Sequence, residues 1–358
     1  MKEFEVEEIV SSVQSAIGDL DLHGLVDDVH QAATGRAWES EMDISAGQEV
    51  EKEFQVGVQP RLSVGSLHGG EVSIRAGADS VIRVRARRLG SRRTVDELPF
   101  ETMQEGSSVS VRPRGKWHGS AVDYRIEVPR DCAVHVRGLN PDVDIEGTSA
   151  EVEVETVGGA VRVQDVSGAC SVTTVSGDMA GRRIDGTLNV HTTSGDATVM
   201  ESRLRRFTLH SVSGDFTVET SLTPDEHYLV GTTSGDLRLL LSGNVGATVQ
   251  MKSFSGEVVS QIPTEVIKSS RRNWQGRING GGAYLEVASM SGDLQIERGS
   301  EVTAEGAHYE APAATIADAP ADAAGDEERS PETGAILAAL ERGEMTVEEA
   351  MARLEGQG

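Results

Sequence analysis

The stretch His210–Thr220, "HSVSGDFTVET", decides how this chain is read. With Ser213 as position 1 of a unit, positions 4 and 6 are Phe216 and Val218, and Thr217 lies between them. Successive side chains on a strand point to opposite faces, so this alternation marks a half-buried strand. The Ser-Gly-Asp that precedes it recurs at Ser176, Ser194, Ser234 and Ser291, with Ser-Gly-Glu at Ser255.

Extended outward, the same frame fits at 131, 140, 149, 158, 167, 176, 185 and 194 with a strict period of nine. It continues at 204, 213, 225, 234, 246, 255, 282 and 291. Of the 32 positions of type 4 or 6, 30 are apolar or Cys, the exceptions being Gly181 and Ser260. From 194 onward the step into each Ser-Gly-acid unit is nine residues, while the step out is 10, 12, 12 or 27. Alternate units are therefore equivalent, a coil is two strands and 18 residues, and the extra residues leave from one corner. The predicted fold is mainly β, a single-stranded β-helix or β-solenoid with rungs about 4.8 Å apart. Small β-branched side chains suit its narrow interior.

One corner reads, along the stack, Asp142, Ala160, Asp178, Asp196, Asp215, Asp236, Glu257 and Asp293. Acids one rung apart repel by about 1 kcal/mol even in water, so something must compensate. Turn chemistry is the first reading, with Gly permitting φ > 0 and Ser or Asp capping nearby N–H groups. A calcium ladder through Asp178, Asp196, Asp215, Asp236, Glu257 and Asp293 is the second, by analogy with the nine-residue G-G-x-G-x-D-x-U-x roll. Here each unit has one glycine rather than three, and the second corner mostly lacks the acid. These residues stand as subordinate metal candidates, and no cofactor is assigned.

The regular units cover 131–299 of a solenoid region spanning 41–300. Its opening part contains "RLSVGSLHGGEVSIRAG" (61–77), "SVIRVRARR" (80–88), "SSVSVRP" (107–113) and "DYRIEVP" (123–129), which alternate like strands outside the nine-residue phase. They read as less regular opening coils. Arg83, Arg85 and Arg87 share one strand face, solvated or anion-binding.

Residues 1–40 form an N-terminal helical segment in this reading, with Phe4, Val6, Ile9, Val10, Val13, Ile17 and Leu20 at helical spacing. It serves as an end cap or docks a partner. Residues 301–330 are rich in Ala, Pro and acids and read as a disordered linker. Residues 331–358 then read as a helical hairpin. Pro331 stands at its first position, Gly343 ends the first helix, and Thr346 with Glu349 makes a capping box. Leu337, Leu340, Val347, Met351 and Leu354 lie on its apolar stripes and are candidate partner-binding residues. So small a unit has little core of its own, and the expected partner is a protein, either this chain, a second copy or another molecule.

The net charge of -25 belongs to the ends. Residues 1–50 hold 12 acids and 2 bases, and 301–358 hold 14 acids and 3 bases. The middle keeps 32 acids and 28 bases, a balance that argues against a nucleic-acid binder. No run approaches the roughly 18 apolar residues of a membrane span, and the acid-rich N-terminus does not read as a secretion signal. Two cysteines, Cys132 and Cys170, make no disulfide framework. A cytoplasmic location is expected, with association with the cell envelope as the alternative.

Signatures of catalysis are missing: there is no Walker loop, no Cys-x-x-Cys and no H-E-x-x-H. Cys170 occupies an inward position equivalent to Phe216, and Cys132 a corner, as a free thiol. The nine His are scattered, without metal spacing on one strand face. A carbohydrate-active solenoid would cluster carboxylates, but 13 aromatics leave few platforms for sugar rings. The longest insertion, "TEVIKSSRRNWQGRINGG" (264–281), gathers Arg271, Arg272, Trp274 and Arg277. Arg and Trp are favoured at binding hot spots, so this segment is either a lid on the tube or a recognition loop.

The stretches at 61–77 and 123–138, the Ser-Gly-Asp strands and "GRINGGGAYLEVASMSGDLQIERG" (276–299) resemble the bacterial putative-adhesin β-strand repeat family, a domain of unknown function. The closing "ILAALERGEMTVEEAMARLEG" (336–356) is similar to the SHOCT-like helical hairpin attached to such domains in cell-envelope-stress proteins. The resemblance implies the solenoid fold and supplies no catalytic residue. The resulting expectation is a non-enzymatic scaffold or interaction protein whose terminal helices recruit a partner or a second copy. A surface adhesin or glycan binder is the alternative, with a carbohydrate-active enzyme behind it.

Overall fold

A computed structural model describes residues 40–45, 49–66, 69–77, 80–88, 97–113, 122–244, 246–270 and 272–300. The helices expected over 1–40 and 331–358 and the linker 301–330 lie outside them, except that Ser40 already begins a strand, Ser40–Ser45. Among the described residues there is no helix, and 25 strands form the structure.

Among the described residues, ten parallel coils stack as two facing sheets. In the first sheet Val134 pairs with Val152, Val152 with Cys170, and Cys170 with Leu188. In the second, Val143 pairs with Val161, Val161 with Met179, and Met179 with Ala197. Each of these steps is 18 residues, so one turn of chain advances one rung. The side chains named here all point inward and are buried. Strand Ala197–Ser213 runs through the corner, its first part in the second sheet and its remainder in the first.

The interior widens from the middle coils to the later ones. Val, Ile and Cys fill the middle rungs from Val134 to Val172, whereas Phe207, Phe216, Tyr228, Leu237 and Leu285 fill the later ones. The pairings lengthen with them, to 19 residues for Ala197–Phe216 and 21 for Phe216–Leu237. A close-packed interior demands this match between perimeter and side-chain volume. At the inward Gly181 a Cβ would stand 2.8 Å from Ile184 Cδ1 and 3.2 Å from Met179 Cε, so neighbouring side chains fill the missing volume.

Coils stacked in chain order are the natural expectation of a repeat, and both ends depart from it. Leu237 pairs with Leu294, and Leu294 in turn with Val258. The last coil, 283–298, is therefore inserted between the coil at 227–241 and the coil at 247–260. At the other end Leu62 pairs with both Val109 and Val134, which places the coil 61–76 between 108–128 and 133–146. Composition accounts for the swap at the C-terminal end. Leu294 and Ile296 are fully buried inside the stack. Ser260 and the half-buried Val258 occupy the end rung, where an inward hydroxyl costs least.

Antiparallel strands continue the stack beyond its terminal rungs. Glu97–Glu105 and Ser40–Ser45 extend the first sheet, and Val81–Arg88 and Glu49–Gln55 the second. At the far end the hairpin Thr264–Ser270 and Asn273–Ile278 pairs onto Ala247–Ser253. The second sheet ends there on the three-residue strand Val258–Ser260. A very short last strand is one way natural sheets limit pairing at an open edge.

Candidate functional site

The Ser-Gly-acid corner is built by a regular exchange between rungs. Asp178 Oδ1 accepts the N–H of Asp196 at 3.0 Å, and Asp196 Oδ1 that of Asp215 at 2.8 Å. Asp215 serves Asp236, Asp236 serves Asp293, and Asp293 serves Glu257, each at 2.8 Å. Asp142 and Asp123 do the same for the N–H groups of Ala160 and Glu71, at 2.9 and 3.1 Å. A carboxylate accepting an N–H makes a charge-assisted bond, which offsets the repulsion between neighbouring acids. Chain order puts Glu257 ahead of Asp293, but in space Asp293 precedes it, and Glu257 stands on the final rung.

The glycines explain the rest of the motif. A Cβ on Gly214 would meet the carbonyl oxygen of Gly195 at 2.2 Å, and one on Gly235 that of Gly214 at 2.2 Å. The chain closes its corner by packing backbone against backbone, and only glycine fits. Just inside, Thr174 Oγ1 accepts the N–H of Gly177 at 3.0 Å. No three of these corner carboxylates bring oxygens within 4.8 Å of one another.

A second corner is left-handed without glycine. Asp165, Arg183 and Glu201 have φ of 53°, 51° and 52° on three successive rungs. Arg183 grips Asp165 through two N–H···O bonds of 2.6 Å and lies 3.8 Å from Glu201. That hydrogen-bonded guanidinium holds the Asp165 carboxyl below its ordinary range. Charge pairing thus sits where the backbone is least relaxed.

Of the segment read as either a lid or a recognition loop, Arg271 lies outside the described residues. Arg272 stands 4.6 Å over the ring of the exposed Phe254, and Arg277 reaches Glu265 at 3.5 Å. Trp274 packs against the core instead of projecting outward. The segment is a β-hairpin that covers the end of the first sheet. Leu337, Leu340, Val347, Met351 and Leu354 lie outside the described residues.

Arg83, Arg85 and Arg87 are each engaged by acids. Arg83 bonds Glu53 at 2.6 Å and also Glu127, Arg85 bonds Glu51 at 3.2 Å, and Arg87 bonds Asp123 at 3.0 Å. Neighbouring strands supply a carboxylate to every one, so an anion would have to displace them. Cys132 and Cys170 are both buried free thiols, and desolvation pushes each up to about 12. A thiol so unwilling to ionise is a poor nucleophile.

Two clusters escape a reading along the chain because they join outward residues of adjacent rungs, about 18 to 20 residues apart in sequence. His191 and His210 stack with ring centroids 5.2 Å apart. Desolvation, with His191 adding to it, lowers His210 to about 4. The other cluster joins His135 to Glu153 and Glu155 on the adjacent strand, their ligand atoms all within 4.8 Å of one another. Reading positions 5 and 7 down the 18-residue register finds both.

Among solved structures, the chain is similar to a putative cell adhesion protein from Clostridium sporogenes at 9% identity and a TM-score of 0.21, covering 70% of this chain and 100% of that one. It is also similar to putative adhesins from Bacteroides fragilis and Parabacteroides distasonis, at 10% and 11% identity, each with a TM-score of 0.39 and covering 70% of this chain and 97% of theirs. Likenesses this distant carry nothing about function. No curated protein matches the chain. The model of one family does match, over residues 66–297, from the end of strand Arg61–Ser66 to the last coil, and by that match the chain belongs to the Toastrack DUF4097 family.

Proposed function

We propose that this protein is a non-enzymatic β-solenoid scaffold that recruits protein partners through the segments flanking the solenoid. The supporting observation is how the polar side chains of the described residues are spent. Arg137 is joined to Glu155, Arg182 to Glu201, Arg206 to Glu226 and Lys252 to Glu286, each across adjacent rungs. Arg238 bonds Glu297 in the same way. With the corner carboxylates also committed to backbone N–H groups, the outer surface reads as framework, leaving recognition to the ends. The apolar stripes of 331–356 are the leading docking element, and their likeness to SHOCT-like hairpins favours an envelope-stress or regulatory setting. In this proposal the protein works in the cytoplasm and meets the envelope through a partner. No helix among the described residues is long and apolar enough to cross a membrane.

The adhesin reading draws on what the three solved relatives are called. Protease treatment of intact cells separates the two. Protection of the full-length chain, with crosslinked complexes that disappear when residues 331–358 are removed, supports the scaffold. Cleavage from outside overturns it in favour of a surface role.

A further inference from the structure

We propose that His135, Glu153 and Glu155 form a surface binding site for a zinc-type divalent cation on the outward face of the first sheet. The three side chains come from paired strands, with His135 directly opposite Glu153 and Arg137 opposite Glu155. His135 Nε2 is shut off from solvent and has no hydrogen-bond partner. It faces Glu153 Oε2 at 3.8 Å, beyond hydrogen-bonding reach. A buried ring nitrogen left without a partner is costly. A cation between the two would satisfy both, because zinc takes imidazole nitrogen and carboxylate oxygen at about 2.0–2.2 Å each.

The chemistry of the set selects the ion. An imidazole with two carboxylates suits borderline first-row ions, whereas calcium takes oxygen ligands alone. The flanking residues leave room for water in the remaining positions. Register places Ser63 and Ser171 beside His135 and Glu153, and Gly65 and Thr173 beside Arg137 and Glu155. All are small, so neither flanking strand sets a bulky side chain over the cluster. Arg137 opposes binding: its Nε lies 2.7 Å from Glu155 Oε2, and its charge competes for the same carboxylate. The corner acids take no part.

The test is a calorimetric titration of zinc chloride into the full-length protein, with folding checked by circular dichroism. Wild type should show one saturable site that weakens at least about tenfold in His135→Gln and in Glu153→Gln, the scale seen when a metal's supporting groups are lost. Arg137→Gln should tighten it by freeing Glu155, and Asp196→Asn should leave it unchanged. No saturable binding, or binding unaltered by His135→Gln and Glu153→Gln, overturns the proposal. Wild-type circular dichroism in His135→Gln and Glu153→Gln excludes mere loss of structure as the cause of their weaker binding, and no tightening in Arg137→Gln would count against Glu155 as a ligand.

Discussion

Oδ1 of Asp236 accepts the backbone N–H of Asp293 at 2.8 Å, although 57 residues separate the two. Every other step of the acid ladder from Asp178 to Asp236 joins residues 18 to 21 apart. This one bond records that the chain leaves the stack, builds the coil at 247–260 and the hairpin beyond it, and returns to fill the gap. The closing coil therefore has a neighbour on each side, unlike the free end of an ordinary solenoid, which contacts one repeat only.

Hydrogen exchange should reflect that placement. Amides of Leu285, Val287 and Leu294 are expected to be protected as strongly as those of Val172 and Val190 in the middle of the stack, although they belong to the last coil in chain order. Deleting residues 282–300 should also remove protection from 247–260, whose coil pairs with that one. Early exchange at Leu285 and Val287, with 247–260 unaffected by the deletion, would show that the final coil frays independently.

Substitutions at the corner should separate hydrogen bonding from cation binding. Gly214→Ala places a methyl where 2.2 Å separates it from the Gly195 oxygen, backbone that cannot swing away. A loss of at least about 2 kcal/mol is expected from the urea midpoint. Asp215→Ala frees the Asp236 N–H at an exposed corner and should cost about 0.5–1 kcal/mol. Asp215→Asn keeps an acceptor oxygen while removing one repelling charge, so its change should stay within about 0.5 kcal/mol. If Asn proved as damaging as Ala, and only when calcium was present, the corner would be a cation ladder after all.

Much of the fold is legible in the chain because a two-residue alternation repeated every nine residues leaves little freedom. The alternation alone places Val134, Val152 and Cys170 inward, and they are buried. The order of the coils is not legible, because Leu285, Leu294, Val249 and Val258 carry equivalent apolar patterns and fit any neighbouring rung. Ser260 is the available clue, a polar inward residue suited to an end. The opening strands are less legible still, since Val81–Arg88 and Glu97–Glu105 run antiparallel and obey no repeat. Among the described site candidates, the corner acids share one corner as their spacing predicts, with Glu257 and Asp293 exchanged in order, and Trp274 turns inward as the lid alternative has it, because an open tube end offers it apolar surface to cover.

Acid should weaken the protein through its stacked histidines. His210 is 5% exposed and its folded value lies at about 4, below the ordinary 6.5, while burial moves His191 in the same direction. The unfolded chain then binds more protons than the folded one between about pH 6.5 and about pH 4. The contribution is complete above that window and is lost as pH falls through it, by at most about 1.4 kcal/mol per pH unit for one group. Urea midpoints should fall over this range in wild type and fall less in His210→Gln. Equal slopes in both would show that His210 charges without penalty.

Trp274 offers the sharpest division between lid and recognition surface. Its ring lies across Gly276, where a Cβ would meet Trp274 Cη2 at 2.3 Å and Thr264 Cγ2 at 2.6 Å. The glycine leaves the space that the indole occupies over the end of the core, and Met251 is its paired neighbour. Trp274→Ala removes that cover and, for a partly buried indole, should cost about 2 kcal/mol. Gly276→Val should displace the ring and produce a similar loss, with the two losses not adding in the double variant. Arg272→Ala loses only the contact over Phe254 and should cost about 0.5–1 kcal/mol. A hot spot kept for a partner would behave oppositely: Trp274→Ala would leave the urea midpoint unchanged and act only on binding.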